Sequence, residues 1–193
     1  MGIAIIVVVA SLLLGACGLI PANYRGIVLD EPQAVPDFSL VDQNGQPFRL
    51  SDQQGKAVIL FFGYTSCPDV CPTTLATWRK VHDALGEDSD RVRFVFITVD
   101  PERDTPERLG MHVNAFHADF VGLSGSAEDL EPIYEFFSVV REKQQVPDSA
   151  LGYLINHTSS SFLVDPEGQW QLRETYGTPA EDIAHDIQLV LKP

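Results

Sequence analysis

Short apolar runs alternate with longer amphipathic runs along most of this 193-residue chain. Residues 58–62 are continuously apolar, which is typical of a strand that is covered on both faces of a sheet. Further strand-like runs lie at 91–99 and 120–123, and helix-like runs lie at 72–85, 106–117, 126–137 and 179–191. Strands that alternate with helices in this way predict an α/β domain with helices on both faces of a buried sheet.

Two further segments have the pattern of β-hairpins, which would add antiparallel edges to the sheet. The first covers residues 38–50 with a glycine-containing turn at 43–46, and the second covers 159–175 with a turn at 165–168. Residues 139–154 are polar, and they predict a long connection without secondary structure of its own.

Three helix starts carry capping signals. Thr105 comes directly before Pro106, and Ser126 lies three residues before Asp129, as in a variant of the capping box. Asp69 is in the position of an N-cap for the helix predicted at 72–85.

The N-terminus predicts export and attachment to a membrane. Residues 3–14 are almost wholly aliphatic and uncharged, as in the hydrophobic part of a signal peptide. They lead to Leu14-Gly15-Ala16-Cys17, which resembles a bacterial lipobox and predicts lipidation of Cys17. An uncleaved span is the alternative, because no basic residue precedes the apolar run. With either anchor, the domain is expected on the outer side of the membrane, in the bacterial cell envelope.

The chain is therefore divided into three parts. Residues 1–17 form the signal peptide or anchor, residues 18–35 form a tether, and residues 36–193 form the folded domain. The tether is rich in Pro, Gly and Asn and reaches about 60 Å when fully extended. The net charge of −14 falls after the apolar segment, which argues against nucleic acid as a partner because a phosphate backbone attracts cationic surfaces.

Two cysteines carry the candidate chemistry. Cys67 and Cys71 lie four residues apart where the strand at 58–62 gives way to a helix, a position that favours thiolates. At this spacing they share one face of the first helical turn, where they can form a disulfide or bind a soft metal ion. Lipidation of Cys17 would leave them as a pair with no odd thiol.

His157 is the candidate third ligand. It follows the long polar connection, near the position where a thiol oxidoreductase of thioredoxin type has a proline. Two thiolates and one imidazole suit Cu(I) and allow Cu(II), whereas a structural zinc site normally has a fourth protein ligand. The remaining histidines are interpreted as surface or structural residues without a ligand role: His82, His112, His117 and His185.

Three blocks of the chain together resemble the Sco/SenC family. They are residues 63–72 (GYTSCPDVCP), residues 99–106 (VDPERDTP), and residues 156–159 (NHTS) followed by 162–168 (FLVDPEG). The resemblance runs from about residue 35 to residue 191. It implies a thioredoxin-like fold with an added N-terminal hairpin and a C-terminal hairpin plus helix.

The resemblance also implies a function. Proteins of this family are membrane-anchored copper chaperones that help to build the dinuclear copper centre, CuA, of cytochrome c oxidase subunit II. The implied copper ligands are Cys67, Cys71 and His157, and the block around Asp100 and Arg103 is expected to shape the loop beside them. A periplasmic copper donor and a thioredoxin-like reductant are the further partners expected.

Two enzymatic alternatives stay open on the same residues. Cys67 and Cys71 also suit a thiol-disulfide reductase that keeps the cysteines of the target site reduced. A peroxidase of the peroxiredoxin type is a weaker alternative. Thr65 precedes Cys67 by two residues, but no proline occurs upstream in the strand.

Overall fold

The computed structural model describes residues 23–147, 149 and 151–192. These residues form one eight-stranded mixed sheet, one separate two-stranded sheet and four α-helices. The strands are β1 (Ile27–Ala34), β2 (Ser39–Asp42), β3 (Pro47–Arg49), β4 (Ala57–Gly63), β5 (Val92–Thr98), β6 (Val121–Ser124), β7 (Arg141–Val146), β8 (Gly152–His157), β9 (Ser161–Val164) and β10 (Gln169–Glu174). The helices are α1 (Val70–Leu85), α2 (Pro106–Asn114), α3 (Ala127–Phe136) and α4 (Ala180–Val190).

The order of the large sheet is β1-β10-β9-β4-β5-β6-β2-β3. Strands β4, β5 and β6 run parallel, and β9 joins the other side of β4 in the antiparallel direction. Every residue of β4 is buried, as its continuous apolar run predicts. The structure confirms the predicted α/β class, and the fold is thioredoxin-like.

Successive residues of β4 point to opposite faces of the sheet, and helices cover both. Phe61 packs edge-on against Trp78 of α1, with ring centroids 6.2 Å apart. Phe62 packs on the other face against Tyr134 of α3, at 6.0 Å. α4 packs beside α1. The expected arrangement of helices on both faces is confirmed. α1 and α3 pack on the last residues of β4, directly before the loop that carries Cys67.

The hairpins and helix starts mostly follow the sequence. β2 with β3, and β9 with β10, are the two predicted hairpins. The Thr105 side chain accepts a hydrogen bond from the Arg108 backbone N–H, and Ser126 with Asp129 forms a reciprocal capping box. Asp69 stands at the N-cap of α1, but its side chain makes no capping hydrogen bond.

The prediction of an unstructured connection at 139–154 is wrong. β7 and β8 pair antiparallel over six residues and form an extended hairpin outside the main sheet. β7 has the sequence REKQQV and is exposed along nearly its whole length, so it shows none of the apolar alternation that predicts a strand. His157 is consequently the last residue of β8 rather than a residue that follows an unstructured connection.

The second half of the segment predicted as a tether is part of the large sheet. Residues 27–34 form β1, an edge strand that pairs antiparallel with β10 through a bulge. Its side chains are mostly exposed, so backbone pairing rather than burial places it in the sheet. The predicted signal peptide or anchor, with Cys17, lies outside the described residues. Among the residues described, no helix has both the length and the apolar character needed to cross a membrane.

Candidate metal centre

The structure brings the three predicted ligand residues together. His157 Nε2 lies 3.9 Å from Cys67 Sγ and 3.5 Å from Cys71 Sγ. One ligand atom from each residue falls within 4.8 Å of the others. Both thiols are free rather than joined in a disulfide. This spacing allows a single ion to contact two sulfurs and one ring nitrogen.

The two cysteines differ in their access to solvent. Cys71 lies in the first turn of α1 and is fully buried, whereas Cys67 lies in the preceding loop and is half-buried. The Cys67 backbone N–H donates to the Tyr64 carbonyl in a tight turn, which folds the loop back over the end of β4. Cys67 is therefore the sulfur that an approaching molecule meets first.

One hydrogen bond and two aromatic contacts orient the His157 imidazole. Its Nδ1 lies 3.0 Å from the Thr158 carbonyl oxygen, and a proton on Nδ1 donates to that oxygen. This hydrogen bond leaves the lone pair of Nε2 directed at the two sulfurs. The ring edges pack against Phe61 at 5.8 Å and Tyr64 at 5.7 Å. The imidazole is thus held in the tautomer and direction that a metal ligand requires.

The two thiols are electrostatically unequal. A hydrogen bond from Cys71 lowers the pKa of Cys67 to about 3, and the backbone N–H groups of Asp69 and Cys71 act in the same direction. Burial raises the pKa of Cys71, and the neighbouring Cys67 raises it further. Cys67 is thus the thiolate of the pair and Cys71 the thiol. A bound cation would favour deprotonation of both.

Gly63 ends β4 directly beneath the site. A Cβ added there would lie 2.7 Å from Cys71 Sγ and 2.7 Å from the Phe96 ring. Real Cβ atoms do not come so close, so only glycine leaves room for the sulfur. This close approach gives a physical reason for the glycine that opens the block at 63–72.

The second block connects the main sheet to the hairpin that carries His157. Asp100 is buried, pairs with Arg103 and accepts a 2.7 Å hydrogen bond from the Tyr153 hydroxyl. The Arg103 guanidinium donates to the carbonyls of Leu151 and Tyr153 at 2.9 and 3.1 Å. The Tyr64 hydroxyl accepts from the Ile155 backbone N–H at 3.2 Å. Asp100 and Arg103 were expected to shape the loop beside the site, and these contacts show that they bind the hairpin that carries His157.

Asp104 is a site residue that the sequence did not single out. It is buried, and it accepts hydrogen bonds from the Thr65 backbone N–H, the Thr65 hydroxyl and the Thr98 hydroxyl. These contacts fix the loop that carries Cys67 to the end of β5. The signal was present as a second aspartate in the block at 99–106, but its partner is 39 residues away in sequence.

No other histidine of the described residues belongs to this group of ligand atoms, although His112 lines a cleft together with Cys67. The Nε2 of His112 is buried and has no hydrogen-bond partner among the described residues, and its ring packs on Phe96. His185 contacts Asp186. His82 and His117, which the sequence assigned no ligand role, form a second cluster with Asp119.

The comparisons with known proteins agree with the three sequence blocks. A family model described as SCO1/SenC matches residues 28–192. An SCO2-like protein of Rickettsia felis is 32% identical over 176 residues, which cover 86% of this chain and 86% of that protein.

Solved structures give the same result. Apo Sco1 from Thermus thermophilus is 38% identical, with a TM-score of 0.77, over 89% of this chain and 99% of that one. Copper-bound ScoI from Bradyrhizobium japonicum is 35% identical, with a TM-score of 0.74, over 80% of this chain and 98% of that one.

Proposed function

This chain belongs to the SCO1/SenC family, and on that premise we propose that it is a copper metallochaperone whose ion is held by Cys67, Cys71 and His157. The observation that carries the proposal is the position of His157 Nε2, 3.5 and 3.9 Å from the two sulfurs. Copper is the cargo, and the copper-bound relative supports this choice of metal. Soft thiolates favour Cu(I), and the imidazole also accommodates Cu(II).

The proposed recipient is the CuA centre of cytochrome c oxidase subunit II. Cys67 is half-buried at the rim of the site, so a recipient's ligand can displace it before Cys71, which lies beneath. Each exchange replaces one bond to the ion with another, and the oxidation state of copper is unchanged. The family's place in cytochrome c oxidase assembly supports this recipient.

The proposed location is the outer face of a bacterial membrane, with lipidated Cys17 as the anchor. The sequence carries the support for it, through the apolar run at 3–14 and the lipobox-like Cys17. Both thiols must be reduced before copper binds, and an exported dithiol tends to oxidise. The proposal therefore includes a separate thioredoxin-like reductant and a periplasmic copper donor.

A second function, thiol-disulfide reduction, is favoured by the unequal thiols. The Cys67 thiolate would attack a disulfide of the target and form a mixed disulfide. Cys71 would then lose its proton to His157 Nε2 and displace the target sulfur. The products are a Cys67–Cys71 disulfide and two reduced target thiols, so two electrons pass to the target.

Copper titration of the full-length reduced chain tests the main proposal. We expect one equivalent of copper in the unchanged protein, a loss of at least tenfold in affinity for His157→Ala, and no tight binding for Cys71→Ser. Disulfide exchange by His157→Ala is measured in parallel. A His157→Ala or Cys71→Ser variant that keeps the full copper affinity would contradict the proposed ligand set. If neither the unchanged protein nor His157→Ala binds copper, and both exchange disulfides at the same rate, the result would favour the thiol-disulfide reductase.

A further inference from the structure

His82, His117 and Asp119 form a cluster at a different place from the cysteines. His82 lies in the last turn of α1, and the other two residues lie in the loop between α2 and β6. His82 is eleven residues beyond Cys71 on the same helix, which corresponds to about 16 Å along the helix axis. An ion bound by this cluster would therefore be separate from the proposed copper.

The three side chains converge on one carboxylate oxygen. His82 Nε2 and His117 Nδ1 each lie 3.7 Å from the same atom, Asp119 Oδ2. One atom from each residue lies within 4.8 Å of the others. In a tetrahedral site with bonds of 2.0–2.1 Å, neighbouring ligand atoms are about 3.4 Å apart. A contraction of a few tenths of an ångström would bring both nitrogen-to-oxygen distances to that value.

The protein holds both imidazoles in place without an ion. The two rings pack against each other with centroids 3.9 Å apart and planes tilted by 35°, and His82 also packs on Phe94 while His117 packs on Phe120. The Asp119 backbone N–H donates to His117 Nδ1 at 3.2 Å. That hydrogen bond places the lone pair on Nδ1, which is the tautomer needed for ligation. An incoming ion has to compete with this one hydrogen bond.

Access and ligand chemistry narrow the identity of the ion. The Asp119 side chain is 68% exposed, whereas those of His82 and His117 are 17% and 27% exposed. The two imidazoles are therefore largely covered by protein, and an ion from solvent would approach them from the side of the Asp119 carboxylate. Two imidazoles and one carboxylate suit divalent first-row ions such as Zn²⁺ and Cu²⁺. The cluster contains no sulfur and so does not suit Cu(I).

We propose that His82, His117 and Asp119 form a second metal site, for a divalent ion of the zinc and copper(II) class. An ion there connects the C-terminal turn of α1 to the loop before β6, because its ligands come from both elements. Binding would therefore stabilise the folded domain by mass action. The site does not depend on the proposed copper function, since none of its residues touches the cysteines or His157.

Zn²⁺ binding to the full-length chain with Cys67→Ser and Cys71→Ser tests the proposal, because this background removes both thiolates. We expect one equivalent of Zn²⁺, a rise in Tm that EDTA reverses, and a Co²⁺ complex with d–d bands but no sulfur charge-transfer band. In the same background, Asp119→Asn, His82→Gln and His117→Gln should each weaken Zn²⁺ binding at least about tenfold.

The control is Asp83→Asn, which removes an exposed carboxylate next to His82 in sequence; it should leave Zn²⁺ affinity unchanged. Asp119→Asn keeps the test valid if a histidine variant folds poorly, because the Asp119 side chain is largely exposed. The proposal is overturned if the background variant binds no stoichiometric Zn²⁺, or if its affinity is the same with Asp119→Asn as without it.

Discussion

The guanidinium carbon of Arg103 lies 3.6 Å from the centre of the Tyr153 ring, so a cation from the loop after β5 stacks on the hairpin that carries His157. The same guanidinium pairs with buried Asp100, and Asp100 also accepts from the Tyr153 hydroxyl. Asp100, Arg103 and Tyr153 thus form a clamp between the main sheet and β8. The clamp touches none of the three proposed copper ligands but fixes the element that carries one of them.

Arg103→Lys is expected to weaken copper binding about tenfold while the thiols stay intact. Lysine keeps the charge but loses the planar fork that serves Asp100 and two carbonyls together. Cu(I) competition with a chromophoric chelator measures the affinity, and amide hydrogen exchange across β7 and β8 should become faster. Lys143→Gln is the control, because Lys143 also contacts the Tyr153 ring, at 4.8 Å, but makes no bond to Asp100. Equal losses in both variants would contradict the clamp.

Gly63→Ala is expected to destabilise the domain by about 3 kcal/mol and to weaken copper binding, because the new methyl overlaps Cys71 Sγ and the Phe96 ring. Urea unfolding and copper titration measure the two effects. The matched control is Gly110→Ala within α2, where the nearest atom to an added Cβ is 3.5 Å away. That variant should be neutral or stabilised by about 0.5–1 kcal/mol. A Gly63→Ala protein as stable as the control would show that the sulfur can move aside freely.

Cys67 should react with iodoacetamide at a nearly constant rate between pH 5 and pH 8. Its pKa of about 3 lies below this whole interval, so the reactive thiolate is already formed at pH 5. An ordinary thiol becomes about tenfold more reactive with each pH unit over the same interval. Peptide mass spectrometry of the reduced, metal-free chain follows Cys67 and the buried Cys71 separately. A rate at Cys67 that rises like that of free glutathione would contradict the assignment of Cys67 as the thiolate.

The stability of the domain should fall between pH 5 and pH 8 because of Glu174, the last residue of β10. Burial and the nearby Asp186 raise its pKa to about 8. The folded state therefore binds a proton that the unfolded state has lost, and this stabilisation is present below pH 4.5 and disappears as the pH rises through 8. Glu174→Gln, which mimics the protonated form, should remove about 2 kcal/mol of this dependence in urea unfolding. An unchanged pH profile in the variant would contradict the prediction.

The sequence predicts the parts of this fold that depend on burial and local capping. The continuous apolar run of β4 and the caps at Thr105 and Ser126 each leave a local signature, and the structure confirms all three. Strand β7 leaves none, because it is exposed and is held by backbone pairing with β8, which is itself fixed by contacts to Arg103 and by the buried side chain of Ile155.

The residues of the candidate site also differ in whether a local sequence pattern predicts them. The pair Cys67 and Cys71 is local, so its spacing alone indicates shared chemistry. His157 is 86 residues from Cys71, so no spacing links it to the pair, and only its position after the long polar connection and the resemblance to a family indicated it as the third ligand. Asp104, like the cluster of His82 with Asp119, depends on which loops the topology brings together, and no spacing in the chain encodes that.

The separation of the hairpin from the large sheet bears on how an ion could leave. Within the described part of the chain, no strand pairing joins β7 or β8 to the other eight strands. The hairpin begins just after Ser138, whose positive φ of 52° marks a sharp change of direction. A rotation of this two-stranded arm would move His157 and leave all seven ladders of the large sheet in place. Release of an ion by such a movement would break the contacts of Arg103, Asp100 and Tyr64 to the hairpin and would leave the strand pairing of the large sheet intact.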